Sequence, residues 1–154
     1  RNCDWSSDVC SSDLKTPIVM AHEHFTCPFS HLILSSRCGC QFAAKDCVAE
    51  KEFGSCSNQH ASDLCHSVYY HLRDNSDFVL KSHCINNLSV GQQSKIKMGG
   101  LLALQELMGV DNGDKINDIN NLVGKIHTNY PDLTHIPFSK LMPRIAKFKF
   151  RKKP

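Results

Sequence analysis

The sequence predicts a mainly α-helical fold, a small helical bundle that follows an N-terminal cysteine-rich module of loops and short elements. Two observations carry this prediction. Six of the nine cysteines lie between Cys27 and Cys65. From residue 89 onward, apolar residues instead recur every three or four positions, the spacing of one helix face. We expect a single domain in which residues 20–66 form the module, 67–139 the helical body and 140–154 a basic tail helix.

The first 19 residues are expected to be a non-native leader. Asp4–Leu14 reads DWSSDVCSSDL and resembles one reading frame of a common sequencing adapter translated as protein. A segment of this kind is set aside before the fold is considered. Met20 is then the predicted start, and residues 20–154 contain no motif that identifies a protein family.

Two helices are predicted around the cysteines of the module. Phe42–Phe53 contains good helix formers, and Gly54 follows it as a natural helix stop. A second helix is expected to begin after Ser57 or Asn58, either of which can cap it. Apolar residues at helical spacing carry this second helix to about Arg73.

The next helix is predicted from its N-terminus. Ser89 and Gln92 fit a capping box, in which each side chain bonds the backbone amide of the other residue. The helix is expected to run to about Met108, with Gly99 and Gly100 in its interior. Each glycine costs about 1 kcal/mol relative to alanine, so we expect close packing against a neighbouring element as compensation.

The last two helices are predicted from caps and spacing. Asp114 is expected to cap a helix that carries Ile116 on its buried face and ends before Pro131. Ser139 is expected to cap the tail helix. Pro143 then falls in about the first turn of that helix, where the missing amide donor costs least.

The cysteines of the module indicate metal binding. Neither a secretory signal nor an apolar run long enough to cross a membrane is visible, so a cytoplasmic location is predicted, where thiols stay reduced. Clustered free thiols are typical of metal ligands, with disulfides or unligated thiols as the alternatives. In order of preference, the candidate metal ligands are Cys38, Cys40, Cys56, Cys27, Cys65 and, as the weakest, Cys47.

The order reflects local geometry. Cys38 and Cys40 come first because Gly39 between them leaves the backbone free to aim both sulfurs at one point. Cys47 comes last because it lies within the helix predicted for residues 42–53, where a cysteine often packs as a small hydrophobic residue.

The identity of the metal is less constrained than its ligands. Zinc held by four thiolates, or by three thiolates and a histidine, is favoured. An iron–sulfur cluster is the alternative, since thiolates suit it and Cys27 precedes a proline as some cluster ligands do. We therefore expect a structural zinc site in a regulatory or adaptor domain, with a redox carrier or sensor as the alternative function.

An enzymatic role is the less favoured interpretation. The sequence contains no nucleophile elbow, phosphate-binding glycine loop or paired-carboxylate pattern. A metalloenzyme whose ion keeps an open coordination position remains as a weaker alternative.

The C-terminus is strongly basic. Residues 140–153 contain seven of the 18 lysines and arginines and no acid, in a chain of net charge +3. The pattern favours contact with nucleic acid or an acidic protein, with a phenylalanine available for stacking. A solvated helix end is the competing interpretation, because cations also favour the C-terminal helix dipole. The residues expected to make the contact are Lys147, Lys149, Arg151, Lys152 and Lys153.

Overall fold

The computed structural model describes residues 25–80, 88–110 and 113–150. Helices account for 59% of the described residues and are accompanied by one small sheet, so the predicted mainly α fold is confirmed. None of the described helices is both long and apolar enough to cross a lipid bilayer. The predicted leader lies outside the described residues.

The start of the described chain forms a three-stranded antiparallel sheet with a short helix packed on it. Its elements are, in chain order, β1 (Phe25–Thr26), α1 (Ser30–Leu34), β2 (Ala43–Val48) and β3 (Lys51–Cys56). β3 lies in the centre of the sheet, pairing with β1 along one edge and with β2 along the other. We call residues 25–58 the cysteine module and the remaining described residues the helical body.

The helix predicted for residues 42–53 is wrong, because this segment belongs to the β2–β3 hairpin. Ala49 and Glu50 connect the strands with positive φ angles of 49° and 67°, as a tight hairpin turn requires. Differences in helix propensity are below about 1 kcal/mol per residue, and tertiary pairing of β3 on both edges outweighs them. Gly54 is a strand residue that lets α1 approach, since an added Cβ would lie 2.9 Å from the Ser30 Cβ.

α2 (Gln59–Leu80) is the central helix, in contact with the sheet near its start and with the other body helices along its length. Its predicted cap is confirmed at Asn58, whose side-chain oxygen accepts a hydrogen bond from the Ala61 amide at 3.0 Å. Val68 and Leu72 are at most 1% exposed. The helix continues to Leu80 instead of ending near residue 73.

The next helix spans residues 90–107 and includes a π-helical segment. It consists of α3 (Val90–Ser94), the π segment Lys95–Gly99 and α4 (Gly100–Leu107). The predicted capping box is confirmed. The Gln92 amide donates to Ser89 Oγ at 3.2 Å, and the Ser89 amide donates to Gln92 Oε1 at 3.0 Å.

Both glycines inside this helix allow the close packing that was predicted. A Cβ on Gly99 would lie 3.1 Å from the Ile145 Cα, and a Cβ on Gly100 would lie 2.8 Å from the Leu72 Cδ1. Two neighbouring helices therefore approach the same point of the backbone. The packing compensates for the low helix propensity of the two glycines.

α5 (Ile119–Asn129) begins later than predicted. Its cap is Asp118, whose carboxylate accepts a hydrogen bond from the Asn120 amide at 3.0 Å, and not Asp114. Ile116 precedes the helix but is still buried, at 1% exposure. Helical spacing identified the buried residues correctly, whereas residue type alone does not favour Asp114 or Asp118 as the cap.

The last helix starts two residues earlier than predicted. A 3-10 turn (Leu133–His135) leads into α6 (Phe138–Lys147), which begins without a side-chain cap at Ser139 or elsewhere. Pro143 lies inside the helix rather than in its first turn. Ile145 is fully buried, as its predicted place on the inner face requires.

The module and the body are joined through Gly39. Its amide donates to the Ile116 carbonyl at 2.9 Å, and its carbonyl accepts from the Ile119 amide at 2.9 Å. An added Cβ would collide with the carbonyl oxygen of Asn117. Gly39 therefore allows two backbones to approach, and one apolar cluster extends across both parts of the described chain.

Candidate metal centre

Four cysteines lie near one another where the sheet meets α2. This four-thiol group consists of Cys27, Cys40, Cys56 and Cys65, all free. Burial, together with smaller contributions from Cys40 and Cys56, raises the pKa of Cys27 to about 11. Burial also raises the pKa of Cys65, to about 12, with added contributions from the other three thiols. Such contributions require neighbouring sulfurs, because the repulsion between like charges falls with distance.

The strand register explains why the four thiols meet. Cys56 ends β3 and pairs with Phe25 on one side and with Ala43 on the other. Cys27 lies two residues after the first of these partners, and Cys40 lies three residues before the second. α2 starts three residues after Cys56 and carries Cys65, which is 6% exposed, in its second turn.

Backbone amides face two of the sulfurs. Burial raises the pKa of Cys27, while the Phe29 amide lowers it. Burial raises the pKa of Cys40, while the Phe42 and Asn120 amides lower it. In each case one amide belongs to the second residue after the cysteine, so the local turn directs a donor at the sulfur. Such donors favour the thiolate over the thiol.

Two charged side chains of the body border the group. The positive charge of Lys97, in the π segment, lowers the pKa of Cys27 against the larger upward effect of burial. Lys97 Nζ also lies 5.2 Å from the centre of the Tyr69 ring. After burial, the Asp118 carboxylate contributes to the raised pKa of both Cys40 and Cys65. No sequence signal identifies Lys97 or Asp118, because only the folded chain brings them to the cysteines.

Cys38 and Cys47 lie apart from the four-thiol group. Cys38, ranked first from the sequence, is 5% exposed and donates its S–H to Met98 Sδ at 3.5 Å. Burial raises its pKa to about 12, and none of the other described cysteines contributes to that shift. Gly39 thus separates two thiols that face different surroundings. Cys47 is exposed on β2 and disulfide-bonded, so it offers no thiolate.

His66 follows Cys65 in the helix, and its ring contacts β1. Its Nε2 lies 3.1 Å from Thr26 Oγ1 and 3.2 Å from the Thr26 carbonyl oxygen. Adjacent residues of a helix point about 100° apart, so one can face the group while the next faces β1. Among the described residues, no three His, Cys, Asp or Glu side chains already surround a point where a metal ion could sit.

The basic segment is only partly described, since Arg151, Lys152 and Lys153 lie outside the described residues. Lys147 and Lys149 are exposed. Phe148 between them is 8% exposed and contacts the backbone near Gly99, so it belongs to the core. The Phe150 ring packs edge-on against Phe148 at 4.9 Å and lies under the Arg37 guanidinium at 4.4 Å. Both rings therefore already pack against other residues of the protein.

A comparison of the chain with models of protein families, with curated proteins and with solved structures found no match.

Proposed function

We propose that the protein binds one zinc ion through Cys27, Cys40, Cys56 and Cys65, and that the ion has a structural role. The observation that supports this most directly is that, after burial, neighbouring thiols raise the pKa of three cysteines: Cys40 and Cys56 act on Cys27, Cys56 acts on Cys40, and all three act on Cys65. Zinc in structural sites takes four thiolate or imidazole ligands in a tetrahedron. The proposed ligand set omits Cys38 and Cys47, whose surroundings differ.

The chemistry of the four thiols fits a dication. Because burial raises the pKa values of Cys27, Cys40 and Cys65, these three thiols keep their protons at neutral pH. A zinc ion replaces those protons and balances two of the four negative charges, while Lys97 adds one further positive charge beside Cys27. The amides of Phe29 and Phe42 then donate to sulfurs whose negative charge they stabilise.

Ligation requires the Cys56 side chain to turn away from its present partner. In the chain alone, the Cys56 S–H donates to the Asn58 carbonyl at 3.2 Å. That carbonyl also accepts the Ser62 amide at 3.0 Å, so it remains bonded when the sulfur turns away. No backbone group is therefore left without a partner by this movement, which keeps its cost low.

The structural role follows from where the ligands lie in the chain. They come from the segments after β1, before β2, at the end of β3 and within α2. An ion bound by all four would cross-link the sheet to the central helix. Metal binding that occurs only in the folded state contributes its free energy to folding, which suits a module with few buried apolar residues. Reduced thiols at the site favour the cytoplasm as the location, whereas the disulfide at Cys47 favours an oxidising compartment.

The test is the metal content of the full chain purified without oxygen. We expect about one zinc per chain, lost in Cys40→Ser and in Cys56→Ser. Cys38→Ala is the matched control, because it removes a buried thiol outside the group and should leave the zinc in place. Full zinc retention in both serine variants would contradict the ligand set. Iron with acid-labile sulfide, lost in the same two variants, would replace zinc by the iron–sulfur alternative.

We propose further that the basic C-terminus contacts nucleic acid or an acidic protein through Lys147, Lys149, Arg151, Lys152 and Lys153, as a regulatory or adaptor domain would. The exposure of Lys147 and Lys149 supports this. Affinity for a DNA duplex should fall steeply with salt, and neutralising both lysines to glutamine should reduce that slope. Lys45→Gln together with Lys51→Gln on the exposed hairpin is the control. An unchanged slope in the first variant would exclude the contact.

A further inference from the structure

Arg37 and the C-terminal segment meet at the border between the cysteine module and the helical body. The Arg37 guanidinium carbon lies 4.4 Å from the centre of the Phe150 ring, and that ring packs edge-on against Phe148, with 4.9 Å between the ring centres. Phe148 is buried against Gly99, so the pair of rings is fixed on the body. Lys149 lies between the two rings in the chain and is exposed, as is Arg37. Two cations from distant parts of the sequence therefore border the same aromatic pair.

The backbone that carries Arg37 is held by the end of α1. Ser36 has a φ of 60°, and the amides of Ser36 and Arg37 donate to the carbonyls of Ile33 and Leu32, at 3.0 Å in each case. This is the Schellman arrangement that ends many helices, with a serine in the position usually taken by glycine. The Arg37 side chain therefore starts from a defined turn of the cysteine module.

The donors of Arg37 are available to a ligand. Within residues 25–80, 88–110 and 113–150, neither the Arg37 nor the Lys149 side chain makes an ion pair, and the guanidinium contacts the Phe150 ring instead. A guanidinium that stacks on an aromatic face keeps its N–H donors in its own plane. Two parallel donors of this kind match the oxygens of a phosphate group.

The two segments that meet here carry no acidic residue. Residues 25–45 and residues 133–154 contain neither aspartate nor glutamate. Two acids from elsewhere contact α6, since Glu106 and Asp114 both bind Arg144, at 2.9 Å and 3.0 Å. Arg144 lies about one turn before Lys147, so these carboxylates partly offset the charge of Lys147. The positive charge that no described carboxylate pairs with is therefore that of Arg37 and Lys149.

We propose that Arg37 and Lys149 together bind the phosphate backbone of a nucleic-acid duplex. This inference rests on the contact proposed above for the C-terminus, and it adds a residue of the cysteine module and one class of partner. Single strands are bound largely by stacking of bases on aromatic rings, whereas here Phe148 is buried and Phe150 already contacts Arg37. The cations continue along the sequence through residues 151–153, which suits the regular row of charges of a duplex better than the carboxylates of an acidic protein.

The test is fluorescence anisotropy of a labelled DNA duplex titrated with the full chain, at salt concentrations from about 50 to 200 mM. One phosphate contact contributes about 0.9 to the slope of log affinity against log salt, or about eightfold in affinity at about 0.1 M salt. We expect Arg37→Gln to lose this contribution and Arg37→Lys, which keeps the charge, to retain most of it. Lys45→Gln on the exposed hairpin is the control and should change neither quantity. Two duplexes of unrelated sequence should bind alike, because phosphate contacts carry no sequence information.

Four results would overturn the proposal, and they separate it from the contact proposed for the C-terminus. If Arg37→Gln leaves affinity and slope unchanged while the double variant of Lys147 and Lys149 reduces the slope, the C-terminus binds without Arg37. If Arg37→Lys loses as much as Arg37→Gln, the charge of this residue does not make the contact. If polyglutamate binds and the duplex does not, the partner is an acidic protein. If neither probe binds, the contact proposed for the C-terminus is excluded as well.

Discussion

The helical body and the cysteine module are stabilised by different kinds of side chain. In the body, leucines and isoleucines from four helices are 0–2% exposed, including Leu72, Leu104, Ile126 and Ile145. The module contributes few comparable residues, chiefly Phe29 and Leu32, and buries thiols and a serine beside them. We infer that apolar burial suffices for the body, whereas the module depends on what its thiols bind.

The largest effect should come from the apolar core of the body. Leu104→Ala removes a fully buried side chain, and we expect the free energy of unfolding to fall by about 2–5 kcal/mol. Denaturant unfolding with and without zinc measures it. Because Leu104 lies outside the four-thiol group, zinc stoichiometry should stay unchanged. Loss of zinc in this variant would show that the two parts do not behave differently.

Removal of zinc should act on the module first. At a free zinc concentration 100 times the dissociation constant, binding stabilises the folded state by about 2.7 kcal/mol, which a chelator removes. Hydrogen exchange should then accelerate in β1–β3 and less in α4 and α6. Uniform acceleration across the chain would mean that the module and the body unfold together.

The junction between the two parts can be tested at Gly39. Gly39→Ala would force its Cβ against the Asn117 carbonyl, and overpacking of this kind costs about 1–3 kcal/mol. Thermal unfolding monitored by circular dichroism measures the change. Gly91→Ala in α3 is the control, because its Cβ would meet only Ser89 Oγ, at 4.0 Å, and it should be neutral or slightly stabilising.

A smaller effect distinguishes two glycines of the body. Gly124→Ala on α5 meets nothing within 4 Å and should raise the free energy of unfolding by about 0.5–1 kcal/mol through helix propensity. Gly99→Ala should lower it, since its Cβ would press on the Ile145 backbone. If both variants had an equally raised free energy of unfolding, the close packing at Gly99 would not oppose an alanine there.

The pH dependence at neutral pH should be the weakest effect in the metal-free protein. The folded-state pKa of Cys27 is raised to about 11 and that of Cys65 to about 12, both above an unfolded value near 9.0. The stability from these protonated thiols is fully present below pH 9 and is lost as the pH rises through 11 to 12. Zinc affinity should instead rise with pH, because ligation releases the protons. Urea midpoints from pH 7 to 11, with and without zinc, measure both trends.

The capping box at Ser89 and Gln92 could be predicted because it depends on residues three positions apart. The buried spacing of the helices and the need for close packing at Gly99 and Gly100 were likewise local or periodic. The hairpin at residues 43–56 could not be predicted, because its stability comes from pairing with β1 and packing on α1. The secondary-structure propensities of single residues do not describe such contacts.

By itself, the sequence determined that this protein is mainly helical and that its cysteines are concentrated in one segment. Only the tertiary structure decided which thiols are neighbours, separating Cys38 from Cys40 across Gly39 and adding Lys97 and Asp118 from distant helices. The physical reason is the distance along the chain over which each interaction acts. Caps and helical periodicity act within a few residues, whereas strand register and helix packing determine which charges and sulfurs share one buried place.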